Sequence, residues 1–431
     1  MKSSEKKLLL ASAFAIALVL GAGYWWQSVN QMPQVVIPNP KMPSPNAFDI
    51  YSKAYFLNAA RPSALYEGYN STTGRIESNT LQTWEERLPF YRKPELVAWA
   101  AKNQAAIKTL RGGFLYQYRQ PPVRSFSTVS LHFPKAREMA RTLNAYSHVC
   151  AAKGDWRGAA RSALDGVELG HDIPRGGSLI SALVGYAVQA IARRPLEDMA
   201  SHLDAPICRR SAQRLETLHR QRVTFDRVLT EDKWTLQASL LEVMPERDWH
   251  KGLVSVGATG IAAQLRNKFI PLNKRRLMND VTRYMDQCIE TAKQPYNRKT
   301  QPVMPDDPIA QALISDYSRS RWNAVRAETS NVLLMTALAL RAYHLEHGAY
   351  PQKLNVLVPS YLQTIPIDPY GAGEALHYQK QSADYKLWSI GTDGKDDGGR
   401  PVEDKTKKPN TRNRFLVEPE SKGDFVFGIN N

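Results

Sequence analysis

Apolar positions along this chain follow three successive patterns. The first is an uncharged run, Leu8 to Trp26, preceded by Lys2, Lys6 and Lys7 and closed by Tyr24, Trp25 and Trp26. At ~1.5 Å per residue a helix of that length reaches ~28 Å, near the ~30 Å of a bilayer core. Lysines before it and aromatics after it predict a single-pass anchor in the cytoplasmic (inner) membrane, with the bulk of the chain in the periplasm or cell exterior. The alternative is a cleaved signal ending near Gly21-Ala22-Gly23, which also exports the chain. Residues 27–46 then carry Pro33, Pro38, Pro40, Pro43 and Pro45 with almost no periodicity, which predicts a semi-rigid stalk.

The second pattern has helical spacing. Over residues 47–320, apolar side chains recur at i, i+3 and i+4. Pro94 opens a segment that Gly112-Gly113 stops, and Pro134 opens another that Gly154-Asp155 breaks. Trp156 to Leu169, Ser178 to Ala192, Ala205 to Leu241 and Leu272 to Thr291 continue the series, the second of these apolar on most of its surface. The third pattern begins with a last long helix, Arg321 to Leu345, whose stripe includes Val332, Leu333, Met335, Leu338 and Ala339. After Gly348 the period shortens to two, in Ala375 to Lys380, Tyr385 to Ile390 and Asp424 to Ile429. The predicted fold is mainly α: an N-terminal transmembrane helix (1–26), a stalk (27–46), a helical body (47–320) and a small α+β domain (321–431).

Composition narrows the function classes. The chain has 431 residues and a net charge of +16, and its cysteines, Cys150, Cys208 and Cys288, are too few and too far apart for a disulfide framework or a zinc ribbon. One strongly basic stretch is Arg266, Lys268, Lys274, Arg275 and Arg276. No nucleic-acid motif accompanies it, so the charge is read as a solvated face or a surface for anionic lipid or an acidic partner, and nucleic acid is not expected as a partner. Catalytic motifs are absent: no nucleophile elbow, phosphate loop or dinucleotide fingerprint occurs. His344 and His347 share a helix face but lack a third zinc ligand. Cys150 falls on an apolar helix face, as a buried thiol does.

Two resemblances extend this reading. "KGDWRGAARSAL" (Lys153 to Leu164), within the helical pair 135–170, weakly resembles one tetratricopeptide-like hairpin, with no second copy at that period. "RAYHLEHGAYPQKLNVLVPSYLQTIPIDPYG" (Arg341 to Gly371), the strand at His377-Tyr378, "SIGTDG" (Ser389 to Gly394) and the trailing Asp424 strand follow one another in the order of a known domain. Together they resemble the globular part of the type II secretion major pseudopilin. Two departures limit the likeness: Leu8 is preceded by no pseudopilin processing site, and residues 27–320 separate the apolar run from the resembling region. The resemblance implies a local α+β fold and a calcium ion. By position Asp393 and Asp424 would be ligands, with Asp396 and Asp397 as further carboxylates in the same loop. It also implies a membrane-anchored envelope protein with a protein-binding or structural role beside secretion or pilus-like machinery. The alternatives are an exported hydrolase with its site in the helical body, and a solute-binding or sensor module.

Overall fold

The computed structural model describes residues 3–62, 69–70, 75–76, 84–125, 128, 130–245, 273–314, 317–408 and 412–430, with side chains from Ser12 onward. Arg266 and Lys268 of the basic stretch lie outside these residues; Lys274, Arg275 and Arg276 open a helix. Helix α1 (Ser3–Asn30) is continuous. It corrects the expected anchor: among the described residues, no helix is long and apolar enough to cross a membrane. Polar Gln27, Ser28 and Asn30 follow Trp26 within the same helix. The single-pass location in a cytoplasmic membrane rested on that anchor and is corrected with it. Residues 31–46 run extended, and Met32 and Val35 pack against the body.

The body is an array of helices: α2 (Ala47–Leu57), α3 (Trp84–Tyr91), α4 (Pro94–Lys102), α5 (Gln104–Gly113), α6 (His132–Ala152), α7 (Trp156–Asp172), α8 (Leu179–Met199), α9 (Ala205–Arg220), α10 (Phe225–Val243), α11 (Lys274–Lys293) and α12 (Pro308–Leu313). Local chemistry sets their ends. Gly154 turns the α6–α7 hairpin at a φ of 80°, and the Asp155 side chain accepts the Gly158 N–H at 2.8 Å to cap α7. Asp204 caps α9 in the same way, accepting from Ile207 at 2.7 Å, with Pro206 in the first turn.

Helices α7 and α8 cross at their glycines. A methyl group on Gly185 would lie 2.6 Å from the Gly170 carbonyl oxygen and 2.9 Å from the Pro174 ring. Neither neighbour is a flexible side-chain end, so the helices themselves would have to part. Gly185→Ala is expected to destabilise by about 2–3 kcal/mol. Gly112, by contrast, has open space around it, and Gly112→Ala gains roughly 0.5–1 kcal/mol of helix propensity. Melting curves of the two variants should shift in opposite directions; a Gly185→Ala protein that melts with the wild type would refute the close crossing.

The last helix, α13 (Tyr317–His347), begins four residues ahead of its expected start and joins the two halves. It is buried on every side from Thr329 to Leu340, where the sequence pattern predicts only a stripe. One core explains this. Ala159, Leu196 and Leu215 of the body and Leu357, Leu387 and Phe425 of the carboxyl-terminal unit belong to the same apolar cluster as Leu333, Leu338 and Leu340. Polar residues on this helix survive burial by bonding back to their own backbone: Thr329 Oγ1 to the Val325 carbonyl at 2.8 Å, and Thr336 Oγ1 to that of Val332 at 2.7 Å. Beyond it, β1 (His377–Lys380), β2 (Tyr385–Ser389) and β3 (Phe425–Val426) form a small antiparallel sheet in the order 1-2-3. The expected long helix and small antiparallel sheet are thus present.

Candidate functional site

The acidic loop was the expected ion site. Asp424 is fully buried, and its carboxylate accepts N–H bonds from Asp397 (3.2 Å to each oxygen) and Gly399 (2.7 Å). Burial raises its pKa, opposed by these bonds and reinforced by the neighbouring charges of Asp396 and Asp397. Asp396 accepts from the Trp388 indole and the Gly398 N–H, both at 2.9 Å, and lies 3.3 Å from His377. Asp397 pairs with Arg400 at 2.8 Å, and Asp393 accepts from Lys395 N–H at 3.2 Å. Calcium takes six to eight oxygen ligands; here both oxygens of Asp424 and one oxygen each of Asp393 and Asp396 accept N–H donors that brace the loop. Among the described residues no group of three or more His, Cys, Asp or Glu is arranged to hold a metal ion.

The other sequence candidates are structural. His344 stacks on Tyr350 at 4.4 Å, and His347 contacts the Tyr361 hydroxyl at 3.2 Å, so the two rings serve separate partners. All three cysteines are buried, and burial pushes the Cys150 thiol up to about 11 and those of Cys208 and Cys288 up to about 12. None is a thiolate at neutral pH.

A cavity of about 350 Å³ lies where α10, α11 and the first turns of α13 meet the loop 418–420. Its apolar wall is Phe225, Leu229, Tyr296 and Tyr317, with the neutral Cys288 thiol among them. Asp232 accepts the Tyr317 hydroxyl at 2.7 Å and the Leu179 N–H at 3.0 Å, which fixes that ring.

The wall carries both donors and acceptors: Arg298, Arg319, Arg321 and Trp322 donate, Glu418 and Glu420 accept, and Thr291, Asn297, Thr300, Gln301 and Ser318 can do either. Trp322 is only 4% exposed, yet its indole N–H has no acceptor. Arg321, 8% exposed, gives one nitrogen to the carbonyls of Gln294 (2.6 Å) and Pro295 (3.0 Å) and sits over the Tyr296 ring at 5.6 Å. Burial lowers its pKa, and among the described residues no carboxylate pairs with it. Just behind the wall, Arg326 lies over the Trp322 ring at 5.5 Å with its Nε unpartnered. Tyr370 packs edge-on against Tyr296 at 5.1 Å, its buried hydroxyl also without a partner. At the rim, Arg319 faces Glu418 at 3.8 Å and Arg298 faces Glu420 at 3.9 Å, both glutamates being largely exposed.

Pattern reading missed this cavity because its wall comes from four separate stretches of chain. The available signal was small: Arg321 and Trp322 stand near the head of the last long helix, and the loop before the final strand supplies Glu418 and Glu420. No family model, no curated protein and no solved structure matches this chain.

Proposed function

We propose that this chain is a binding protein, with the cavity between its helical body and its carboxyl-terminal unit as the ligand site. One observation carries the reading: a concave space of about 350 Å³, walled in part by Phe225, Leu229, Tyr296 and Tyr317, is also lined by the buried Trp322, whose indole N–H has no partner among the described residues. Buried polar groups are nearly always hydrogen-bonded. Small-molecule sites combine apolar walls with a few convergent polar groups at cavity volumes from ~300 Å³ upward. The titratable groups here do not make a catalytic pair, because the thiol is protonated and the glutamates stand at the solvent-facing rim. A role beside secretion or pilus-like machinery rests on the sequence resemblance alone.

Calorimetric titration of the full chain with 1-naphthoate and with 1-naphthamide tests the site. At least one should bind, and Thr291→Trp, which places an indole in the cavity wall, should abolish that binding without lowering the melting temperature. If neither probe binds, or the Thr291→Trp protein binds as the wild type does, the cavity is not the site.

A further inference from the structure

We infer that the cavity selects a small organic anion, a carboxylate carried on a flat apolar body; this rests on the ligand-site reading above. The argument is one of charge balance. Most of the partly buried arginines in this molecule face a carboxylate, as Arg111 does Asp165 and Arg193 does Glu197, both at 2.6 Å. Among the described residues Arg321 and Arg326 have no carboxylate at ion-pair distance: Arg321 has two backbone carbonyls and the Tyr296 ring, and Arg326 has the Trp322 ring, with Glu418 and Glu197 as more distant charges. Burial lowers the pKa of both, which marks the cost of keeping those charges out of water. A buried charge without a counter-ion is expensive, and an anion entering the cavity would offset that cost.

Three further features agree on the sign. The unpartnered indole of Trp322 is a donor only, so it calls for an acceptor. The cavity wall includes the first turns of α13, a helix of 31 residues, whose amino end carries positive partial charge. The carboxylates nearby are committed elsewhere. Asp232 holds the Tyr317 hydroxyl, and Glu418 and Glu420 face Arg319 and Arg298 at the solvent-exposed rim. The aromatic rings of Phe225, Tyr296 and Tyr317 set the shape of the remainder, which suits a planar body.

The same two probes decide the matter, since they share a ring system and differ in charge. Naphthoate should bind at least roughly tenfold tighter than naphthamide. Arg321→Gln should remove most of that preference while leaving naphthamide affinity within about twofold, and Arg321→Lys should restore part of it. Trp322→Phe keeps a ring and removes the donor; it should weaken naphthoate by roughly three- to tenfold. Melting curves without ligand establish that each variant is folded. Equal affinity for the two probes, or a naphthoate preference unchanged in Arg321→Gln, overturns the anion assignment yet leaves a ligand cavity. Absence of binding by both probes removes the cavity reading and this inference together.

Discussion

Asp165→Ala is expected to cost about 3–5 kcal/mol, the range for removing one partner from a buried ion pair. Asp165 sits on α7 and is 1% exposed. It accepts from Arg111 of α5 at 2.6 Å and from Arg214 of α9 at 2.8 Å, so one carboxylate ties three helices. Arg214 keeps Glu168 as a second partner at 2.6 Å, but Asp165 is the carboxylate that Arg111 reaches. Alanine therefore leaves a partly buried guanidinium without its carboxylate. Asp165→Asn keeps an acceptor of the same shape and should lose less. Urea unfolding of both variants checks this. A loss under about 1 kcal/mol for the alanine variant would place the pair with ordinary surface ion pairs.

Acidification should remove roughly 3–4 kcal/mol of stability between pH 7 and pH 5 through two histidines. Burial pushes His171 down to about 3; His219, His-neighbouring Arg175 and Arg222 add to the effect. Burial, then Arg222, pushes His219 down to about 4. Asn331 approaches the His171 ring at 3.5 Å. Both rings are neutral in the folded chain at pH 5, whereas the unfolded chain takes up protons below its ordinary histidine pKa of ~6.5. Their contribution is complete above ~6.5 and falls as the pH drops toward the folded values. Burial raises the pKa of Asp172 and Asp232, and a raised carboxylate pKa acts in the opposite sense on stability as the pH falls. The measurement is therefore a difference: unfolding free energy at the two pH values for wild type and for a His171→Asn, His219→Gln variant. Identical losses in the two proteins would mean that these rings do not carry the dependence.

Periodicity alone located most helices of the body and the small sheet, because spacing of 3.6 or 2 follows from backbone geometry and is written locally. Breaks at Gly154 and Gly348 were legible for the same reason: each adopts a positive φ that glycine takes without strain. The run from Leu8 misled, because length and flanking residues speak only to what a helix could cross. Aspartates in the loop 391–399 were legible as a cluster, but a sequence does not say whether carboxylate oxygens face an ion or their own backbone. Here Asp424 faces the N–H groups of Asp397 and Gly399.

What the sequence by itself determined is the set of elements and their ends, since capping and turn chemistry act over three or four residues. The tertiary structure decided what those elements enclose. Thr329, Asn331 and Thr336 are polar residues of α13, yet they are buried, because the helix is covered by body and sheet at once. In the same way Trp322 and Arg321 become cavity groups only when α11 and the loop 418–420 close around them. Burial is a property of neighbours distant in sequence. Whether a charge has a partner is therefore fixed by packing, and the unpaired charge of Arg321 is visible only in the fold.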